Sequence, residues 1–204
     1  MQSGCDHVST SQLQHLQHAL SQSRLIATVL ERAPELDMQN WYLGAGCIAQ
    51  TIWNLQHGFD AASNIKDCDL VYYADQDLSS EAESAFIERG KQLFSDLNVP
   101  VEIVNQARVH VWYKKHFGYG IQPYHSIEQA INTWPTTATC VGVKYDQRGR
   151  FIVYAPYGLS DLFGLIVRAN KTQITEEIYT RKVERWKGIW PRLTIVPWQE
   201  TQGI

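Results

Sequence analysis

The sequence holds no apolar run long enough to cross a bilayer, and its first residues carry no basic lead followed by an apolar core. Neither a membrane anchor nor a secretory leader is expected, and the expected location is cytoplasmic. Charge of one sign is also missing: 18 Lys and Arg against 21 Asp and Glu leave a formal charge of −3 in 204 residues. With no polybasic coat and no acidic tail, any contact with nucleic acid has to be local. The four cysteines, Cys5, Cys47, Cys68 and Cys140, lie far apart and form no Cys-x-x-Cys pair, which argues against a disulfide framework or a zinc knuckle. Cys47 and Cys68 are expected as small buried residues. Internal repeats, low-complexity tracts and linkers are lacking too. With 44% apolar residues, one domain is expected over 1–204, a helical segment at 1–37 leading into a core at 38–198.

What the chain does have is gathered between Leu43 and Leu70. Trp41-Tyr42-Leu43 reads as an apolar strand end, Gly44-Ala45-Gly46 as a tight turn, and Cys47 to about Gln56 as a helix. After a loop, Lys66-Asp67-Cys68-Asp69 enters Leu70-Val71-Tyr72-Tyr73, a short run that ends at Asp75-Gln76-Asp77 and reads as a strand. Side chains alternate along a strand, so Asp67 and Asp69 emerge on one face. Adjacent carboxylates repel, and a divalent cation such as Mg²⁺ or Mn²⁺ is the usual relief. The glycine turn supplies the complement, backbone N–H groups at the positive end of a helix that an anion can approach. Metal plus polyphosphate is the expected site, with Gly44, Ala45, Gly46 and Cys47 as its nucleotide-binding residues.

The rest of the chain is read around that unit. Residues 1–8 look like a frayed end; Ser9 or Thr10 then caps a helix carrying Leu13, Leu16, Leu20, Ala27 and Leu30, with Pro34 beyond it. His15 and His18 are one turn apart there, but without a third ligand they are read as solvated. Ser80-Glu81-Ala82-Glu83 fits a capping box for a helix to about Leu97, and Val101 to Val104 follows as a strand carrying Glu102. Strand, helix, strand, helix, strand implies an α+β (α/β-like) fold, a mixed central β-sheet with helices packed on it. Residues 105–113 read as part strand, part helix start, followed by a basic loop at 114–120. Ser126 opens a short helix. Thr139–Tyr145 and Phe151–Ala155 form a hairpin about a turn at 146–149, and Ser160 caps a helix through Val167 ending at Asn170. A last helix runs from about Thr175 to Lys187.

Two of the candidate residues admit a structural reading as well as a functional one. Glu102 is either a third carboxylate beside the aspartates or an outward charge on an edge strand. Arg108 either binds a triphosphate bidentately or sits in an ion pair. Lys171, Arg181, Lys182, Arg185 and Lys187 are expected mostly on a solvated helix face, with a local acceptor patch as the alternative. The seven tryptophans are expected mostly in the core.

The order Leu43-Gly44-Ala45-Gly46-Cys47, helix, Asp67-Cys68-Asp69, then a carboxylate on a later strand resembles the DNA polymerase beta-type nucleotidyltransferase superfamily. Its fingerprint is an apolar residue, Gly and a small residue, then an acid-apolar-acid strand. More closely, Trp41–Ile48, Asn105–His110, Trp134–Thr139 and Ala155–Phe163 resemble a nucleotidyltransferase-like family, over roughly residues 38–198. The fold this implies is like the head domain of tRNA nucleotide-adding enzymes. The activity it implies is metal-dependent transfer of a nucleoside monophosphate from an NTP to an acceptor with release of pyrophosphate. Asp67, Asp69 and Glu102 would be the catalytic and metal residues, Arg108 would join Gly44, Ala45, Gly46 and Cys47 at the nucleotide, and the cofactor would be Mg²⁺ or Mn²⁺. The acceptor, a small molecule, RNA or protein, is left open. Cys47 stands where Ser is common, and residues 48–66 form a longer connection than usual. The helical domains that hold tRNA in those enzymes have no room here, so full tRNA recognition is not expected. A non-catalytic nucleotide-binding or protein-interaction module of the same fold is the alternative, and an antitoxin-like partner of another protein a third.

Overall fold

The computed structural model describes residues 8–199, so Cys5 and the frayed end expected at 1–8 lie, Val8 apart, outside the described residues. Ser9 caps α1 (Thr10–Ser21) with a closed capping box: its hydroxyl accepts from the Gln12 N–H, and the Gln12 amide oxygen accepts from the Ser9 N–H. The single helix expected to Leu30 does not form. It breaks at Ser23, whose buried hydroxyl accepts from the Ile26 N–H and starts α2 (Arg24–Arg32). Serine competes for backbone groups and favours caps over helix interiors. The break lets Leu16 and Leu20 on one helix, and Ile26, Val29 and Leu30 on the other, enter one buried cluster with Leu43 and Ile48.

β1 (Trp41–Gly44) is buried at every position, as befits a central strand. It pairs antiparallel with β2 (Cys68–Tyr72) on one side and β4 (Gly142–Tyr145) on the other. β3 (Val101–Asn105) lies parallel to β2, and β5 (Phe151–Tyr154) closes a hairpin with β4, so the sheet order is β3-β2-β1-β4-β5. The sheet is therefore mixed and the fold α+β. The parallel step needs a crossover, and α4 (Ser80–Leu93) provides it. Gly90 of α4 permits a close approach, since a side chain there would collide with Ile103 of β3. The capping serine is Ser79, one residue before the expected Ser80, and accepts from the Ala82 N–H at 3.2 Å.

α3 (Gly46–Gln56) follows β1 directly and is buried from Cys47 to Asn54. Asn54 donates to the Ala61 and Ser63 carbonyls and accepts from the Trp190 indole, tying the long connection after α3 to the C-terminal part of the chain. After β3, a 3₁₀ turn (Gln106–Arg108) leads into α5 (Val109–Phe117), and Ser126 caps α6 (Ile127–Ile131). The helix expected from Ser160 to Val167 is corrected. α7 covers only Ser160–Phe163; Gly164 ends it, Leu165 takes a positive φ of 56°, and Ile166–Val167 becomes β6, parallel to β7 (Thr194–Ile195). The last helix, expected from about Thr175 to Lys187, is α8 (Glu176–Ile189), with Thr175 as its cap. No helix among the described residues is long and apolar enough to cross a membrane.

Candidate active site

The parallel register of β2 and β3 sets Asp69 opposite Glu102. Alternation then repeats on one face, with Asp67, Asp69 and Val71 along one line and Glu102, Val104 and Gln106 along the next. All six line a cavity of about 520 Å³. It is polar at one end and apolar at the other. β1 runs antiparallel to β2 with Gly44 against Asp69, so Ala45, Gly46 and the start of α3 close the acidic end. Toward the other end Val104 packs with Val109, Tyr113 and Tyr124. Trp112 and Phe117 of α5, each 36% exposed, stand at the margin of the same cavity.

The acids sit in an electrostatically tense arrangement. Burial, then the charges of Asp67 and Glu102, push the Asp69 carboxyl up to about 7, against a partial offset from Lys182. Lys182 and Arg185 come from α8, across the cavity. The Lys182 ammonium stands 5.1 Å from the centre of the Trp186 ring, a cation–π contact that holds it in place. Burial lowers the Lys182 pKa, and the neighbouring Arg185 lowers it further, while Asp69 and Asp67 pull it back. The cations expected on α8 thus divide. Lys182 and Arg185 face the cavity, Arg181 pairs with Glu177, and Lys187 donates to the Pro191 and Leu193 carbonyls.

The glycine turn is more constrained than a phosphate cradle requires. A side chain at Gly44 would meet the Trp134 ring at 2.6 Å and the Val141 carbonyl at 2.7 Å, so Gly44 is needed for packing against the chain leading into β4. The Ala45 N–H donates to that same Val141 carbonyl and is not free for a ligand. The Cys47 thiol turns inward, donates to the Gly44 carbonyl, and is raised well above its usual pKa by burial. What faces the cavity is Ala45, Gly46 and the first turn of α3, which no side chain caps. Ala45 has φ 57° and ψ −127°, a conformation L residues rarely adopt. Ala45→Gly is therefore expected to stabilise the protein by about 1 kcal/mol, read from its urea midpoint.

Arg108 takes the structural of its two readings. It is 8% exposed, pairs with Glu83, donates from Nε to the Leu78 carbonyl at 2.8 Å, and is not among the residues lining the cavity. The pair forms because Glu83 of α4 and the turn after β3 meet behind the sheet face that bears the acids. The nucleotide-binding role expected of Arg108 therefore has no support from its position, and it takes no part in the reading proposed below. His15 stacks on Phe163 with ring centres 4.5 Å apart, far in sequence from the acids and with no metal cluster around it among the described residues.

Residues 31–195 match the model of a family described as nucleotidyltransferase. The chain belongs to the nucleotidyltransferase family. A solved structure described as the NMR structure of a protein that reveals a CCA-adding enzyme head domain aligns with a TM-score of 0.74 at 23% identity, over 92% of this chain and 96% of that one. The nucleotidyltransferase therefore has the fold of that head domain. A tRNA-processing enzyme in an apo form aligns at a TM-score of 0.42 and 14% identity, over 82% of this chain and 44% of that one, too slight a likeness to argue from. No curated protein matches the sequence.

Family membership makes a divalent cation the group to test against the acids of this nucleotidyltransferase. Three carboxylates on one face, opening to one cavity, are the hard oxygen donors that Mg²⁺ and Mn²⁺ take. The Asp69 carboxyl is raised first by burial and then by the charges of Asp67 and Glu102, and a cation would offset the second of these causes. The acids are not drawn into a closed cage, since among the described residues no three His, Cys, Asp or Glu stand together closely enough to hold an ion. The donor set fits the group in chemistry and orientation.

Sequence reasoning named Lys182 and Arg185 only within a possible patch of five cations and did not place them on the wall opposite the acids. Ile178, Lys182, Arg185 and Trp186 recur at the spacing of one helix face, so the two cations lie on the stripe that packs inward. That periodicity was the available signal. Gln50 and Gln106 were missed. Both are buried, at 8% and 6% exposure, and both line the cavity. The Gln50 amide lies over Gly46, where an added side chain would stand 2.9 Å from it. For Gln106 the signal was parity with Glu102, two steps along the same strand face.

Proposed function

We propose that this nucleotidyltransferase moves a nucleoside monophosphate from a nucleoside triphosphate to an acceptor hydroxyl, with Mg²⁺ or Mn²⁺ as cofactor. The acceptor oxygen forms a bond to the α-phosphorus, the α–β phosphoanhydride bond breaks, pyrophosphate leaves, and the hydroxyl proton passes to solvent water. The observation that carries the reading is a single cavity in which Asp67, Asp69 and Glu102 face the uncapped start of α3 and the cations of α8. Asp67, Asp69 and Glu102 hold the metal, whose chemistry when bound is to neutralise phosphate charge and acidify the acceptor hydroxyl. The N–H groups of α3's first turn, with Lys182 and Arg185, hold the phosphates that become pyrophosphate. Transfer of this kind needs mainly positioning and charge neutralisation, which these residues supply without a nucleophilic side chain.

The test is release of pyrophosphate from each of the four nucleoside triphosphates, with Mg²⁺ or Mn²⁺, against small hydroxylated molecules, RNA and protein as acceptors. Metal-dependent release with label transferred to an acceptor is the expected result. Tight triphosphate binding that needs no metal, with no pyrophosphate released for any acceptor, would instead establish a non-catalytic binding module.

A further inference from the structure

Among the buried polar side chains, two amides that line the cavity form no hydrogen bond to the described residues: Gln50, which lies over Gly46 at the acidic end, and Gln106. Gln106 is 6% exposed. Its neighbours are fully engaged. Asn105 bonds both the N–H and the carbonyl of Ala74 and accepts from the Ala107 N–H. Arg108 is held by Glu83 and Leu78. Buried amides are ordinarily paired, because burial removes their hydrogen bonds to water. Here the backbone on both sides is fixed while the amide between is turned to a cavity, which is how a group kept for a ligand is built.

Position decides the ligand. Gln106 lies four residues beyond Glu102 along nearly extended chain, about 13 Å at the rise of a strand. Between the two is Val104, packed with Val109, Tyr113 and Tyr124. From the acidic end outward the cavity therefore offers a phosphate site, then an apolar slot with aromatic rings, then an amide. A ribose and base extending from a phosphate at the acids would lay the base's faces in the slot and bring its edge to the amide. An amide carries one donor and one acceptor side by side, which complements the adjacent acceptor and donor on a nucleobase edge. We infer that Gln106 reads the base edge of the bound nucleoside triphosphate and sets which base is preferred, an assignment that rests on the nucleotide reading above.

Titration of ATP, CTP, GTP, UTP and inorganic tripolyphosphate, each with Mg²⁺, into the protein and its Gln106→Leu and Gln106→Glu variants tests this. Both variants are expected to lose about tenfold in affinity for the preferred nucleotide while tripolyphosphate binding stays within about twofold, the loss matching one base-edge contact. Gln106→Glu keeps the shape and a polar group, so it still reports if Gln106→Leu does not fold. Variants that keep the affinities and ranking of all four nucleotides overturn base reading and leave the nucleotide site standing. Equal loss for tripolyphosphate also overturns it, because the residue then acts on the phosphate site or the fold. Failure of every triphosphate and of tripolyphosphate to bind the unaltered protein overturns the nucleotide reading itself, and this assignment with it.

Discussion

Replacing Asp67 and Asp69 together by Asn is expected to lower metal-dependent pyrophosphate release by a thousandfold or so, the scale on which a site loses activity when charge stabilisation at the reacting group is removed. The substitution keeps shape and hydrogen-bonding capacity while removing two charges from the acidic end of the cavity. The fold should tolerate it. Burial and the charges of Asp67 and Glu102 already push Asp69 up to about 7, so at neutral pH the folded protein holds these acids at an electrostatic cost that the amides remove. The thermal midpoint without metal is therefore expected at or above that of the unaltered protein. Loss of activity with an undiminished midpoint would assign the acids to the chemistry. Pyrophosphate release that survives the double change would take the mechanism away from them.

The parts of this protein legible in its sequence are those set by local rules. β1, the turn, α3 and β2 follow from a change of periodicity across a few glycines, and Asp67 and Asp69 share a face by alternation alone. Helix ends shifted where two neighbouring residues could both cap, as at Ser79 and Ser80, or where a cap interrupted an otherwise continuous apolar stripe, as at Ser23. Glu102's partner needed the register of a parallel pair formed across a crossover, which no local pattern specifies. The wall made by α8 needed knowledge of what that helix packs against; its stripe could be counted, but cations on an inward stripe make sense only once acids are known to lie opposite. Gln106 was hidden for a related reason. An amide's burial and its missing partner are properties of the assembled cavity, while in the sequence it is one polar residue between Asn105 and Ala107.

Arg108→Ala is expected to destabilise the protein by about 3–5 kcal/mol, as breaking a buried ion pair from one side does. The side chains of Arg108 and Glu83 are only 10% and 13% exposed. Glu83 also accepts from the Asn105 N–H at 2.8 Å, and Arg108 donates to the Leu78 carbonyl, so the pair joins the start of α4 to the end of β3. Removing the guanidinium leaves a carboxylate buried without its counter-charge and strips a donor from Leu78. Adding Glu83→Gln should recover part of the loss, since the amide still accepts from Asn105 but carries no charge to strand. Urea denaturation of the two variants measures both effects, and tripolyphosphate affinity below the transition shows whether the arginine also serves the ligand. A phosphate site that uses Arg108 would instead give an unchanged urea midpoint and an affinity lowered tenfold or so, the size of one lost charge-assisted contact. The cavity's cations then would not end with α8, and the ion pair with Glu83 would be a resting position from which the guanidinium swings toward the acids.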